Sequence, residues 1–167
     1  ILTLQDNHDD FSILTATSVN NSDIDATVSF AANLDPAVGD VDLGFDVLPL
    51  DPKTVGSNFD VLVRINTGGA SINAIQLVVY VDFSRVSYIG ADNLVGPGKF
   101  AVVPNPAESL VEITTTPSTA INGAKRGVAM LRFQVLPGAT GTVSFSGLTK
   151  TLKNPSGVAI IPSLTPF

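Results

Sequence analysis

The sequence contains no cysteine and no tryptophan, and its one histidine is His8. Without cysteine the chain forms no disulfide and no thiolate metal site, and it has no cysteine nucleophile. A histidine-based catalytic site would have to use His8. An aromatic platform for a sugar would have to use Tyr80, Tyr88 or a phenylalanine. These absences favour a protein that is not an enzyme, and they disfavour sugar binding by ring stacking.

Long apolar runs are missing as well. The apolar residues come in short pieces separated by glycine, proline, asparagine and aspartate, and none approaches the roughly 20 residues that span a bilayer. Hydrophobic residues make up 44% of the 167 positions and charged residues 14%, which is typical of one compact globular domain. The sequence shows neither an initiator methionine nor a signal peptide, so we expect a processed or excised piece of a longer protein.

Basic residues are absent from positions 1–51, which carry ten aspartates, although the net charge of the whole chain is only −6. Phosphate binding needs clustered lysine and arginine, so we expect no nucleic-acid partner. Two interpretations of the acidic third remain open. It is either a solvated surface or an oxygen-rich region suited to a hard cation such as calcium.

Alternation of apolar and polar residues, the period of a β-strand, dominates the chain. Val78 and Tyr80 also make the second face of residues 75–82 apolar, which predicts a central strand that is covered on both faces. The other predicted strands are residues 41–47, 58–65, 110–115, 128–135, 142–148 and 158–161, with less regular ones at 11–16 and 26–31. Many short strands separated by glycine and proline turns predict an all-β, two-sheet antiparallel sandwich.

From about Gly39 onward the order of features resembles the cohesin family and its cohesin-like relatives. The stretch Tyr80-Val81-Asp82 is similar to the aromatic–aspartate pair that ends a family strand, and residues 125–135 and 140–145 resemble two later strands. Val81 separates the pair, and Phe83-Ser84 stands where proline is usual, so we expect a divergent relative rather than a cellulosomal cohesin. The resemblance implies a jelly roll of about nine strands and a non-catalytic scaffold or protein-interaction role.

The domain organisation follows from where the resemblance begins. We expect residues 39–167 to form the cohesin-like sandwich and residues 1–38 to be an acidic amino-terminal extension. The tetrapeptide Thr-Val-Ser-Phe occurs at residues 27–30 and again at 142–145. Either residues 1–38 are the tail of a preceding module, or two similar strands share four residues by coincidence.

Two groups of aspartates are candidate calcium ligands, Asp6, Asp9 and Asp10 in one and Asp40 and Asp42 in the other. Calcium takes six to eight oxygen ligands, which a short aspartate-rich loop can supply in part, although the spacing fits no EF-hand. Alternation places Asp40 and Asp42 on one strand face about 7 Å apart, where two carboxylates repel unless they are compensated. A calcium ion or a lysine or arginine side chain would compensate them; calcium is the one cofactor we consider.

Asn20 begins an Asn-Asn-Ser sequon and is the candidate glycosylation site of a secreted protein. Two function classes remain open after these observations. The first is an extracellular or cell-surface interaction module, a scaffold or adhesion unit that joins other protein modules or copies of itself. The second is a carbohydrate-binding module, with or without calcium. The scarcity of aromatic residues favours the first.

Overall fold

The computed structural model describes residues 2–6, 10–17, 25–32, 37–45 and 53–160, and the side chains of 37–44 and 53–160. The described part contains eleven strands and a short 3-10 helix at Pro106–Glu108. The strands are β1 (Leu2–Asp6), β2 (Asp10–Thr17), β3 (Asp25–Ala32), β4 (Val41–Phe45), β5 (Asn58–Ile65), β6 (Ala74–Val81), β7 (Val86–Asn93), β8 (Gly98–Asn105), β9 (Leu110–Pro117), β10 (Arg126–Val135) and β11 (Gly141–Lys153). No helix in these ranges is long and apolar enough to cross a membrane.

Nine of these described strands form two sheets, which confirms the predicted two-sheet sandwich. One sheet has the order β1-β11-β6-β9-β8 and the other the order β4-β5-β10-β7, while β2 and β3 form a separate antiparallel pair. All neighbours are antiparallel except β1 and β11, which run parallel. The sequence predicted antiparallel sheets throughout; the parallel pair depends on a contact between distant parts of the chain, which alternation does not show.

The hydrophobic core lies between the two sheets. Because side chains alternate across a strand, each strand directs every second residue inward. Along β5 these are Phe59, Val61, Val63 and Ile65, all at most 2% exposed. The ring of Phe133 lies 5.7 Å from that of Phe59 and 5.4 Å from that of Phe145. Packed aromatic rings at the centre join strands from both sheets into one core.

Strong alternation identified strands well, and weak alternation did not. The predicted strand 58–65 is observed with those bounds, and 75–82 is observed one residue earlier as β6. Strand β8 was missed because it forms a sheet edge, where most of its side chains are exposed and a proline interrupts the pattern. Of the predicted strand 158–161, the described residues show only a single bridge between Ala159 and Lys153.

The amino-terminal strand β1 lies beside β11, with Leu2 opposite Gly141 and Asp6 opposite Phe145. Residues 2–6 thus extend the five-stranded sheet. The two copies of the Thr-Val-Ser-Phe tetrapeptide lie in β3 and β11. The proposed boundary between residues 38 and 39 stays a prediction.

Candidate functional site

One face of the five-stranded sheet points away from the core, and its side chains come from β11, β6, β9 and β8. The strand registers place Leu148 beside Val78 and Tyr80 beside Leu110. On the next strands Glu112 lies beside Val78, and Val103 lies beside Glu112. We call Val78, Tyr80, Val103, Leu110 and Leu148 the outer patch.

The outer patch leaves large apolar side chains in contact with solvent. Tyr80 is 39% exposed, Leu148 43% and Val103 58%, whereas Val78 and Leu110 beneath them are buried. Single exposed apolar residues are ordinary on a protein surface, but several on adjacent strands of one sheet face are characteristic of an interaction site. The patch is therefore the strongest candidate for a binding surface in the described residues.

A hydrogen bond sets the polar part of this face. The side-chain amide of Gln76 donates from Nε2 to Oε1 of Glu112 at 2.5 Å. Because the two strands hold these residues on the same side of the sheet, the carboxylate is fixed at the centre of the face. Lys99 and Lys153 are both exposed and lie on this side of β8 and β11 near the opposite end from Tyr80. The face is thus apolar at one end and positive at the other.

The opposite surface of the sandwich, on the four-stranded sheet, has a charged character. Arg132 forms ion pairs with Asp60 on β5 and Asp92 on β7, and the Nε of Arg132 lies 3.5 Å from Oδ1 of Asp60. The Nε of Arg64 lies 2.5 Å from Oδ2 of Asp42. These two arginines are paired with aspartates on neighbouring strands, whereas the outer patch exposes apolar side chains.

The predicted compensation of Asp42 is observed as an arginine. Asp42 lies in β4 directly opposite Arg64 in β5, and only 2% of its side chain is exposed. Arginine was the alternative to calcium at this position. Asp40, which precedes β4, is half-buried.

The remaining candidate ligands are dispersed over different elements. Asp6 ends β1, in the five-stranded sheet, and Asp10 begins β2, in the separate pair. Asp9, His8 and Asn20 lie outside the described residues. Within the described ranges, no group of three or more histidine, aspartate or glutamate side chains is placed to hold a metal ion. Calcium binding, glycosylation at Asn20 and the interpretation of His8 all stay predictions.

The turn after β6 is stabilised by Asp82. Its Oδ1 accepts hydrogen bonds from the hydroxyl of Ser84 at 2.6 Å and from the backbone N–H of Ser84 at 2.9 Å. Arg85 adds an ion pair at 3.1 Å. The two Ser84 bonds, followed by Arg85, lower the pKa of the Asp82 carboxyl below its ordinary value of 3.8. This aspartate is the one that carried the resemblance, and the structure gives it a turn-stabilising role.

Sequence patterning found part of the outer patch and missed the rest. The apolar residues on the second face of β6, Val78 and Tyr80, were recognised as unusual. Leu148 and Val103 were not, because a lone exposed apolar residue in an alternating strand carries no signal by itself. Only the sheet order brings them next to β6.

No protein family model matches the sequence. No curated protein matches it either.

Solved structures similar to this chain are cohesins. The cohesin CaCohA2 of Clostridium acetobutylicum superposes with a TM-score of 0.57 at 17% identity, over 74% of this chain and 84% of its own. The sixth cohesin of Acetivibrio cellulolyticus scaffoldin B, in complex with a Cel5 dockerin mutant, gives 0.53 at 18%, over 74% and 92%. The OlpA cohesin of Clostridium thermocellum, in complex with the dockerin Doc918, gives 0.56 at 10%, over 74% and 92%. The expected resemblance is confirmed at the level of fold: this chain has a cohesin-like β-sandwich fold.

Proposed function

We propose that this chain is a non-catalytic protein-interaction module whose partner docks on the outer patch. The observation that carries the proposal is that Tyr80, Val103 and Leu148 are exposed together on one sheet face. Burying such surface contributes about 25 cal/mol for each Å² of apolar area. A rigid aromatic such as Tyr80, beside apolar neighbours, is the kind of residue that dominates interface energies.

The similar structures support a protein partner. Two of the cohesins that superpose on this chain were solved as complexes with dockerins. We propose by analogy that the partner here is a small folded module of comparable kind, with an apolar surface that matches the patch. Lys99 and Lys153 would favour acidic groups on the part of the partner that lies over that end of the face.

We further propose that the module works outside the cell, as a scaffold or adhesion unit of a larger protein. This proposal rests on the composition and on the resemblance. The comparisons do not support the carbohydrate-binding alternative. Among the described residues, Tyr80 is the one aromatic side chain that is exposed on the outer face.

Affinity capture with matched variants tests the docking proposal. The immobilised chain is exposed to proteins secreted by its source organism, and bound proteins are identified by mass spectrometry. Each is then produced pure and titrated against the wild type, Tyr80→Ala and Leu148→Asp. We expect Tyr80→Ala to weaken binding at least about tenfold, which corresponds to 1.4 kcal/mol, and Leu148→Asp to abolish it.

Ile89→Asp is the matched control. Ile89 is 46% exposed, a fraction similar to the 43% of Leu148, but it lies on β7 of the other sheet. The proposal requires that this change leave affinity within about twofold. A partner that binds both patch variants as tightly as the wild type would contradict it. Binding to an immobilised glycan array that survives Leu148→Asp would instead favour the carbohydrate alternative.

A further inference from the structure

Strand β8 ends the five-stranded sheet, and no strand in the described part of the chain pairs with its other side. A free edge presents backbone N–H and C=O groups that can pair with another strand. We propose that β8 pairs antiparallel with β8 of a second copy of this chain. The backbone contact uses the edge of the sheet, and Val103 is the one outer-patch residue that this contact would also cover.

The hydrogen bonds of β8 determine which backbone groups face the free edge. In an antiparallel pair, successive residues alternate between bonding the partner strand and pointing away from it. The N–H of Ser118 donates to the carbonyl of Pro97 at 2.7 Å, at the entrance to the β8–β9 pair. Continuing the alternation, the residues that bond β9 are Lys99, Ala101, Val103 and Asn105. The residues whose backbone groups point to the free edge are Gly98, Phe100, Val102 and Pro104.

The free donors can all be satisfied in a register centred on Ala101. If Phe100 lies opposite Val102 of the second copy, each of these residues donates to and accepts from its counterpart, and the two-fold axis generates four hydrogen bonds. Pro104, which has no N–H, then lies opposite Gly98, which has no side chain to clash with the proline ring. A shift by two residues in one direction would set Phe100 opposite Pro104 and lose donors. The opposite shift would set Phe100 opposite itself and Gly98 opposite Val102, which satisfies the donors equally but places Lys99 opposite Ala101. The first register is favoured over this one because it brings Lys99 to Val103.

Charge and apolar surface complement each other in this register. Ala101 lies opposite itself at the axis, and Lys99 lies opposite Val103 of the second copy. Val103 is 58% exposed, and the next strand places Glu112 directly beside it. With strands about 4.8 Å apart, the aliphatic stem of Lys99 would cover Val103 and its ammonium would approach Glu112. The axis makes two such ion pairs, and no like charges face each other.

The core-facing side chains of β8 would also make contacts across the proposed dimer interface. Phe100 and Val102 are partly buried and pack against the core cluster. Across the new strand pair they would form an aromatic and β-branched pair, a combination that stabilises antiparallel sheets. Since a single edge strand buries less than about 1,200 Å² in total, we expect a weak and reversible dimer.

Residue-resolved hydrogen exchange on the whole chain tests the strand pairing. In the dilute protein the amides of Phe100 and Val102 should exchange rapidly, whereas Ala101 and Val103 are protected by β9. At millimolar protein the Phe100 and Val102 amides should exchange at least about tenfold more slowly, with no comparable change at Ala101. Exchange at Phe100 and Val102 that does not vary with concentration would overturn the proposal, whether that exchange is fast or slow.

Sedimentation equilibrium with charge-swap variants tests the register. Lys99→Glu and Glu112→Lys should each weaken association at least about fivefold, because each opposes like charges across the axis. The double variant should restore it to within about twofold of the wild type. Lys150→Glu, an exposed lysine of β11, which lies three strands away from β8 in the sheet, is the matched control and should have no effect. A double variant no better than the single ones would overturn the register.

Discussion

The guanidinium of Arg64 in β5 lies against the carboxylate of Asp42 in β4, with Nε 2.5 Å from Oδ2. Both side chains belong to the outward-facing side of the four-stranded sheet, yet they are 16% and 2% exposed. The pair lies beside Gly44, where a Cβ would come within 3.0 Å of an Arg64 terminal nitrogen. The missing side chain at Gly44 leaves the room that the guanidinium occupies.

We expect that replacing either Asp42 or Arg64 alone lowers the free energy of unfolding substantially. Asp42→Asn leaves the Arg64 charge largely buried without its counter-charge, which typically destabilises a protein by about 3–5 kcal/mol. Urea denaturation measures the free energy of unfolding of Asp42→Asn, Arg64→Met and Asp42→Leu/Arg64→Met. The double variant should be more stable than at least one single variant, since it buries no unpaired charge. Strictly additive losses would show that the pair does not act as a unit.

Gly147 in β11 should not tolerate a side chain. A Cβ there would overlap Cγ1 and Cβ of Val41, a core residue of β4 that is 1% exposed. Gly147→Ala should therefore lower the free energy of unfolding by about 1–3 kcal/mol or more, as overpacking does. Gly90→Ala is the control, because a Cβ at Gly90 meets nothing within 4 Å. Equal melting temperatures for the two variants would contradict this close contact between the sheets.

The Asp82 turn predicts a dependence of stability on pH. Its folded-state pKa is lowered, chiefly by the hydroxyl and N–H of Ser84, so the ionised carboxylate stabilises the fold above the unfolded-state pKa. That contribution is lost as the pH falls through the folded-state pKa, below 3.8. The difference in unfolding free energy between wild type and Asp82→Ala should be larger at pH 7 than at pH 2.5. In a Ser84→Ala background the difference between pH 7 and pH 2.5 should be smaller, because the hydroxyl that helps to lower the Asp82 pKa is gone. A difference in unfolding free energy that does not vary with pH would exclude the lowered Asp82 pKa as its cause.

The calcium hypothesis predicts a change in melting temperature on chelation. If calcium bound by Asp6, Asp9, Asp10 or Asp40 is structural, EDTA should lower the melting temperature and added calcium should restore it. Differential scanning calorimetry of the same preparation in EDTA, in magnesium and in calcium makes the measurement. A melting curve that is the same in all three would reject a structural ion. Asp42 is not needed for this hypothesis, because Arg64 already neutralises it.

The amino-acid sequence determined the strongly alternating strands and the direction of their side chains. Alternation over residues 58–65 identified Phe59, Val61, Val63 and Ile65 as core, and burial of apolar area made that choice nearly obligatory. It also marked the second face of β6 as unusual, because Val78 and Tyr80 break the polar side of the pattern. These are local properties, which a strand carries wherever it lies in the sheet.

Only the tertiary structure decided which strands are neighbours. The outer patch exists because β11, β6, β9 and β8 lie in that order, which places Leu148 and Val103 on either side of the β6 and β9 residues Val78 and Glu112. Likewise Asp42 is paired with an arginine because the register sets Arg64 opposite it. Register and sheet order minimise the free energy of the whole core, and shifting a strand by one residue would expose every buried side chain on it. Pairing between residues far apart in the chain therefore cannot be obtained from the alternation of any one strand.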